Sequence, residues 1–378
     1  MKIPFNKPFM SGKELTYIAE AHFNGMLAGD GPFTKKCHAW LEEKTGAKKA
    51  LLTHSCTAAL EMAAILADIE PGDEIIMPSY TFVSTANAFV MRGGVPIFID
   101  IREDTLNIDE SLIEAAITTR TKAIVPVHYA GVPCEMDVIM TIAMKHNLLV
   151  IEDAAQGLMS TYKGRALGSI GHLGCYSFHE TKNIISGEGG ALIINDESFV
   201  ERAEIIREKG TDRSQFFRGQ IDKYSWRDVG SSYSPGELIA AFLWAQIEDA
   251  ENIIKERIMA WNSYHQAFKY LEEDELVRRP IIPNNCVHNA HMYYLLLPNL
   301  QKRTSFIERL KLEDINSVFH YIPLHSSLAG IKYGRACGSM SITNKLPDRL
   351  ARLPMWVGLQ LNIQDVIKSI EKIILTEN

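Results

Sequence analysis

Between residues 48 and 195 the chain alternates short, wholly apolar runs with stretches of helical spacing, and this alternation leaves few folds open. The runs cover 49–53, 74–77, 96–100, 123–127, 148–152 and 191–195. Each is bounded by turn chemistry such as Pro71-Gly72-Asp73 or Arg92-Gly93-Gly94. Helix-like segments at 57–67, 84–91, 111–117 and 136–146 lie between them. Strand and helix in regular alternation predict βαβ units around a mainly parallel sheet. The runs are apolar throughout rather than at every second residue, as expected for strands covered on both faces.

The pattern then changes. A polar, aromatic stretch spans 209–233, and one long apolar-rich helix is predicted over 237–268. Beyond it, 293–297 and 317–321 read as strands, and 305–312 and 364–374 as helices. The expected architecture is therefore α/β, with a large domain (1–250) built on a mixed, mainly parallel sheet. A smaller C-terminal α+β domain (251–378) follows. A length of 378 residues is ample for two cores.

Charge narrows the function. With 39 basic and 46 acidic side chains the net charge is −7, the wrong sign for a general nucleic-acid binder. No apolar stretch approaches the ~18 residues that span a bilayer, and the first residues lack the apolar core of a secretory signal. The six cysteines include no Cys-x-x-Cys pair, which argues against a zinc or redox motif. Reduced thiols in a cytoplasmic enzyme are the expectation.

In open α/β sheets ligands bind beyond the carboxyl ends of the strands, and three such ends carry chemistry. At Thr53-His54-Ser55-Cys56-Thr57-Ala58-Ala59 a strand passes into a helix. Ser55 or Thr57 can cap that helix, and its free N–H groups suit an anion; taken alone, these residues read more readily as an ordinary N-cap. At Ile151-Glu152-Asp153-Ala154-Ala155-Gln156 a carboxylate follows an apolar strand. It could cap the next segment or meet the ring nitrogen of a bound pyridine cofactor. At Ser177-Phe178-His179-Glu180-Thr181-Lys182-Asn183 a lysine lies in a polar loop ahead of Gly187-Glu188-Gly189-Gly190. Most lysines are solvated surface charges, but a buried one has a lowered pKa and forms Schiff bases. A phosphate cradle, a pyridinium partner and a Schiff-base lysine in that order are more specific together than any is alone. Rival motifs are missing: the chain has neither a dinucleotide-binding glycine fingerprint nor a P-loop, and Asn183 stands where a zinc-protease motif starting at His179-Glu180 needs its second histidine.

With these residues, and with further likeness at 78–87, 126–131, 207–232 and 319–325, the sequence resembles the DegT/DnrJ/EryC1/StrS sugar aminotransferases along essentially its whole length. The resemblance implies an aspartate-aminotransferase-like fold (PLP fold type I), pyridoxal 5'-phosphate (PLP, cycling with its amine form PMP) as cofactor, and a homodimer with shared sites. By the same resemblance, Lys182 binds the cofactor and moves the proton, Asp153 pairs with the pyridine nitrogen, and Gln156 bonds the ring hydroxyl. Phe82 stacks on the ring, and Thr57, Ala58 and Ser177 hold the phosphate. Many members carry Gly-Tyr-Asn-Tyr-Arg-Met where this chain has Gly230-Ser231-Ser232-Tyr233-Ser234-Pro235. Ser232 thus takes the place of the asparagine that reaches the partner's cofactor phosphate, and Pro235 is expected in the first turn of the long helix.

The implied reaction moves an amino group from glutamate to a 4-keto-6-deoxy sugar nucleotide, foremost dTDP-4-keto-6-deoxyglucose. Its product, dTDP-4-amino-4,6-dideoxygalactose, would serve a surface polysaccharide such as enterobacterial common antigen. For the substrate, Arg213, Arg218 and Lys223 are interleaved with Phe216, Phe217, Tyr224 and Trp226, a mix that could clamp a pyrophosphate and stack a base, or simply form a solvated loop. His320, Tyr321 and His325 are sugar-side candidates, and His128 either lines the pocket or packs structurally. Two rival activities fit the same fold: a sugar dehydratase, which carries histidine where Lys182 stands, and a non-catalytic regulator, which has no need of Lys182, Asp153 and Gln156 together.

Overall fold

The computed structural model describes residues 2–376. Its main sheet has eight strands in the order Lys49–Thr53, Gly190–Ile194, Leu173–Ser177, Leu149–Asp153, Thr121–Ile124, Glu74–Pro78, Val95–Ile99 and Arg335–Ala336. Gly190–Ile194 runs antiparallel to both of its neighbours, while the pairings from Leu173–Ser177 outward to Arg335–Ala336 are parallel. Successive side chains point to opposite faces. Leu51, Ile75, Met77 and Ile151 accordingly pack with the helices Cys56–Leu66, Val83–Val90 and Val200–Arg207 on one face. Ala50, Leu52, Ile76 and Val150 pack with other helices on the opposite face. This double cover is why the strands read as unbroken apolar runs.

A second core gathers residues from the helices Ala250–Ala267, Leu300–Leu312 and Ile363–Thr376 around the antiparallel pair Tyr293–Leu296 and Leu350–Leu353. Ile3 belongs to it, through a bridge to Ile315, so the first residues of the chain pack with the last third. The helix Ala250–Ala267 straddles both cores: Ala250 and Ile253 sit in the first, Ala260, Trp261 and Tyr264 in the second. No helix among the described residues is long and apolar enough to cross a membrane.

Four local expectations are corrected. The single helix expected over 237–268 is two, Glu237–Glu248 and Ala250–Ala267, parted at Asp249 (φ −105°, ψ 10°). Pro235 precedes the first of them, with Gly236 as its N-cap, instead of entering its first turn. Residues 317–321 form no strand beyond one bridge from Val318 to Arg352. The reason is visible in the next two side chains: the rings of His320 and Tyr321 stack at 3.6 Å, whereas strand neighbours point apart. Conversely, Leu173–Ser177 is a central strand although its Gly174 weakens the apolar pattern. A Cβ on Gly174 would lie 2.1 Å from the Gly168 carbonyl oxygen, so only glycine fits.

The helix Pro32–Thr45, not anticipated from sequence, starts with proline in its first turn but has no side-chain cap of its own. Buried Glu237 supplies one from a distance, accepting the Phe33 N–H at 2.9 Å, the Thr34 N–H at 3.0 Å and the Thr34 hydroxyl. Glu237→Ala strands those donors in the interior and should lower stability by about 2–4 kcal/mol. Glu237→Gln should cost less, because the amide oxygen still accepts. Thermal melting of the two variants checks this, and unchanged midpoints would contradict it.

Candidate active site

Three of the strand ends singled out in the sequence open onto one cavity of about 540 Å³ at the carboxyl edge of the sheet. Asp153, the last residue of its strand, is 5% exposed and lines this cavity. The Thr85 hydroxyl donates to its Oδ2 at 2.7 Å and the Ala155 N–H to its Oδ1 at 3.2 Å, which fixes the carboxylate plane. Thr81 in turn donates to Thr85 at 2.8 Å. Glu152, on the opposite face of the strand, is wholly buried and never reaches the cavity. It accepts the Gly168 N–H at 2.8 Å, the Ile170 N–H at 2.6 Å and the ring of His128 at 2.8 Å. Burial alone would push its pKa up, but the His128 hydrogen bond and the backbone N–H groups hold it below the usual carboxylate range. His128 is thereby a structural partner of Glu152 and does not line the cavity.

Lys182 lies in the loop between Leu173–Ser177 and Gly190–Ile194. Because those strands are antiparallel, the loop returns to the same edge, and Lys182 lines the cavity with Asp153. Burial lowers the pKa of its amine against the opposing pull of Cys56 and Asp153, and nearby Arg352 lowers it further. The next residue anchors the loop: Asn183 donates to the Asn289 carbonyl at 2.7 Å and meets His291 at 3.1 Å.

The anion-ready end is the N-terminus of the helix Cys56–Leu66. Ser55 caps it, accepting the Ala58 N–H at 3.1 Å, and the Thr57 hydroxyl meets Ser84 at 2.7 Å. Thr57 and Ser177 line the cavity; Ala58 is buried in the first turn behind them, its N–H committed to Ser55. A Cβ on Gly190 would fall 2.4 Å from the Cys56 nitrogen, so the glycine turn lets the helix end approach the loop. Gln156 is locked by the Ala130 N–H at 2.6 Å and turns its amide to the Tyr321 hydroxyl at 3.0 Å. Phe82, 55% exposed, lines the mouth with its ring 6.2 Å from that of Tyr321. A planar, phosphorylated, pyridine-type cofactor fits these residues: an amine, a carboxylate at a strand end, a helix N-terminus and an aromatic face converge on one space.

His320 and Tyr321 line the same cavity, and His320 Nδ1 is 2.7 Å from the Tyr129 hydroxyl. The other substrate candidates, and the cofactor candidate Ser232, stand away from it. His325 is tied to Ser79 at 2.7 Å and to Asn344 at 3.0 Å. Arg218 is answered by Glu204 at 3.0 and 2.8 Å, and Arg213 lies over the Phe217 ring at 5.0 Å. Lys223 is exposed; Tyr224 is 51% exposed and packs on Phe216, and Ser232 is exposed beside Glu208. None of these six lines the cavity. The stretch 209–233 also contains a short helix, Arg213–Phe217, that its polarity concealed. Sequence reasoning missed Phe5, His291 and Arg352, which reach the cavity from the two ends of the chain. Arg352 left one trace, a cation inside the apolar run Leu350-Ala351-Arg352-Leu353.

Burial, with Arg352 and Lys182 nearby, pushes the pKa of His320 well below the ordinary 6.5. With the folded value lowered, the ring stays neutral across the physiological range. NMR of the His320 ring should therefore show no titration between about pH 5.5 and 8.5. A midpoint near the ordinary value would contradict the packing described.

The DegT/DnrJ/EryC1/StrS aminotransferase family model matches residues 9–371. The spore coat polysaccharide biosynthesis protein SpsC of Bacillus subtilis is 35% identical over 330 residues, covering 85% of this chain and 84% of its own. GDP-perosamine synthase of Caulobacter vibrioides is 30% identical over 389 aligned positions, covering 99% of both chains. Spr1654 of Streptococcus pneumoniae, described as a sugar aminotransferase and solved in PLP and PMP forms, shares the fold. Its PLP form superposes with a TM-score of 0.91 at 24% identity, over 100% of this chain and 99% of that one. By its sequence from end to end and by its architecture, the chain belongs to the DegT/DnrJ/EryC1/StrS aminotransferase family and has the fold of a PLP-dependent transaminase.

Proposed function

We propose that this enzyme transfers the amino group of L-glutamate to a 4-keto-6-deoxy sugar nucleotide, foremost dTDP-4-keto-6-deoxy-D-glucose, giving dTDP-4-amino-4,6-dideoxy-D-galactose. The observation that carries the reaction class is the meeting of Lys182 and Asp153 in one cavity beside a helix N-terminus. The choice of sugar and nucleotide rests on the sequence resemblance alone. A second reading, transfer to another keto sugar nucleotide, is favoured by the Caulobacter relative, whose name carries a GDP-linked sugar.

Bound PLP supplies an electron sink that makes the donor's Cα–H acidic. The rest is work for this chain's side chains. The Asp153 carboxylate, oriented by Thr85 and the Ala155 N–H, would pair with the pyridine nitrogen and keep it protonated. Thr57 and Ser177 would hold the phosphate at the helix end, together with the N–H groups there that Ser55 does not already take. Phe82 would cover the ring, and Gln156, whose own oxygen is tied to Ala130, would offer its amide to the ring hydroxyl. Lys182 would hold the cofactor through Nζ, and the lowered pKa of that buried amine suits it to accept a proton and deliver it again. The neutral imidazole of His320, backed by Tyr129, faces the sugar side with Tyr321.

Arg213, Lys223, Tyr224 and Ser232 take part in the proposal through a homodimer. They lie outside their own cavity, on a segment that exposes Phe217 (68%) and Trp226 (82%), and each would serve the partner's site. Cytoplasmic synthesis of a polysaccharide precursor is the setting proposed.

Two measurements test the reading. Lys182→Ala should lower transamination at least about a thousandfold, with folding intact by circular dichroism, since one proton carrier is removed; retained activity would refute its role. A panel of keto sugar nucleotides offered with glutamate, analysed by mass and NMR, should give an axial amine at carbon 4 of the dTDP-linked 6-deoxy sugar fastest. Preference for a GDP- or UDP-linked sugar would select the second reading, and no amination of any would overturn both.

A further inference from the structure

His291 is a buried imidazole on the wall of the cavity that holds Lys182. It stands just ahead of the strand Tyr293–Leu296, and its neighbours fix it there. Its N–H donates to Asn289 Oδ1 at 3.0 Å, its carbonyl accepts from Arg257 at 2.6 Å, and its ring Nδ1 lies 3.1 Å from Asn183 Oδ1. These partners decide which ring nitrogen carries the proton. The Asn183 side chain donates to the Asn289 carbonyl at 2.7 Å, a bond that only its NH2 can make, so its oxygen is the atom turned to His291. An amide oxygen only accepts, so Nδ1 is the N–H of the ring. The ring is neutral, because burial, with Lys182, Arg257, Arg352 and His320 around it, holds its pKa well below the ordinary 6.5. Nε2 is therefore a bare lone pair, and among the described residues it makes no hydrogen bond.

The donor that suits this lone pair is the Lys182 amine. Asn183 directly follows Lys182, so the ring is tied to the loop that carries the amine. After burial itself, Lys182 is the largest influence on the ring, while Arg257 gives its guanidinium to three carbonyls. Other acceptors on the wall are taken. Asp153 is held by Thr85 and the Ala155 N–H, the Gln156 oxygen by the Ala130 N–H, and His320 meets the Tyr129 hydroxyl. Glu188 is 71% exposed beside His179.

We propose that His291 is a positioning residue for Lys182: whenever Nζ is free, His291 Nε2 accepts a hydrogen bond from it and holds the amine at the wall of the cavity. The inference rests on the transaminase reading above, in which Lys182 must take up a proton and deliver it without swinging away. A lysine stem is flexible, and a proton carrier acts only within hydrogen-bond reach. Donating one N–H to Nε2 fixes the amine and leaves the Nζ lone pair to take the proton.

The test uses PLP-loaded wild type, His291→Phe and His291→Gln, with melting curves and cofactor absorbance checking fold and loading. The half-reaction with L-glutamate, followed in single turnovers, gives a saturating rate and a half-saturating concentration. His291→Phe keeps a flat ring without an acceptor and should lower the saturating rate about tenfold, as the loss of one hydrogen bond predicts. Half-saturation should stay within about twofold, since no substrate contact is removed. His291→Gln offers an oxygen in place of Nε2 and should recover most of the rate. Nitrogen NMR of isotope-labelled protein carrying PMP, which leaves Nζ free, should show His291 with a protonated Nδ1 and a bare Nε2. The Nε2 resonance should move in Lys182→Ala, a response that a merely structural imidazole would not give. An Nε2 resonance indifferent to the lysine amine, or an unchanged saturating rate in His291→Phe, would overturn the proposal. So would a raised half-saturating concentration at unchanged rate, which would put the ring on the substrate instead. If His291→Phe fails to fold, the resonance decides, since it needs no change at position 291. If the wild type does not transaminate at all, the transaminase reading falls by itself, and the resonance still upholds or overturns the bond from Nζ to Nε2.

Discussion

One strand running against the others sets the geometry of this molecule. Gly190–Ile194 lies antiparallel between Lys49–Thr53 and Leu173–Ser177. A wholly parallel sheet would carry the chain from the end of Leu173–Ser177 to the far edge before the next strand could begin. With one reversal, residues 178–189 turn back over the carboxyl edge, where ligands of open sheets bind. The amine of Lys182 then faces Asp153, which ends a strand two places along, and the start of the helix Cys56–Leu66 lies opposite Gly190. Helix N-terminus, amine and carboxylate thus come from neighbouring strands, although 96 residues (153 minus 57) separate Thr57 from Asp153 in sequence.

The polar interior around that edge divides into groups that are satisfied and groups that are waiting. Glu152, Asn183 and Gln156 have partners within the chain, which fixes the backbone on which Asp153 and Lys182 ride. Buried Arg257 donates to the carbonyls of Ala290, Met355 and His291 at 3.1, 3.2 and 2.6 Å, tying together the segments that deliver His291 and Arg352. By contrast, Lys182 and Arg352 line the cavity, and Arg352 Nε is buried without a hydrogen-bond partner. Satisfied networks rigidify a site, and the unsatisfied groups mark what it is built to receive. Surface ion pairs such as Lys13–Glu248 and Lys44–Glu251 add little by comparison.

Much of this was legible in the sequence because it is local. Strand cores, the helices after them, and the residues at the strand ends follow from periodicity and from the rule that ligands bind at the carboxyl edge; Met136–His146 is observed as read. What escaped depends on tertiary placement. The strand Leu173–Ser177 is disguised by a glycine that only a close backbone approach requires. The loss of strand at 317–321 follows from ring stacking between adjacent residues. The cations at 213 and 218 look available until Glu208 and Glu204, one turn of helix away from each other, are seen to answer them. Phe5 and Arg352 belong to opposite ends of the chain, and only the second core, which Ile3 joins, brings them together.

The central claim is that one nitrogen, Nζ of Lys182, joins covalently to an aldehyde cofactor held against Asp153. Borohydride reduction of the PLP-loaded protein, followed by proteolysis and peptide mass mapping, tests it most directly. The account predicts a single phosphopyridoxyl label, on the peptide containing Lys182. A label on any other lysine, or a loaded protein that reduction leaves unlabelled, would contradict it.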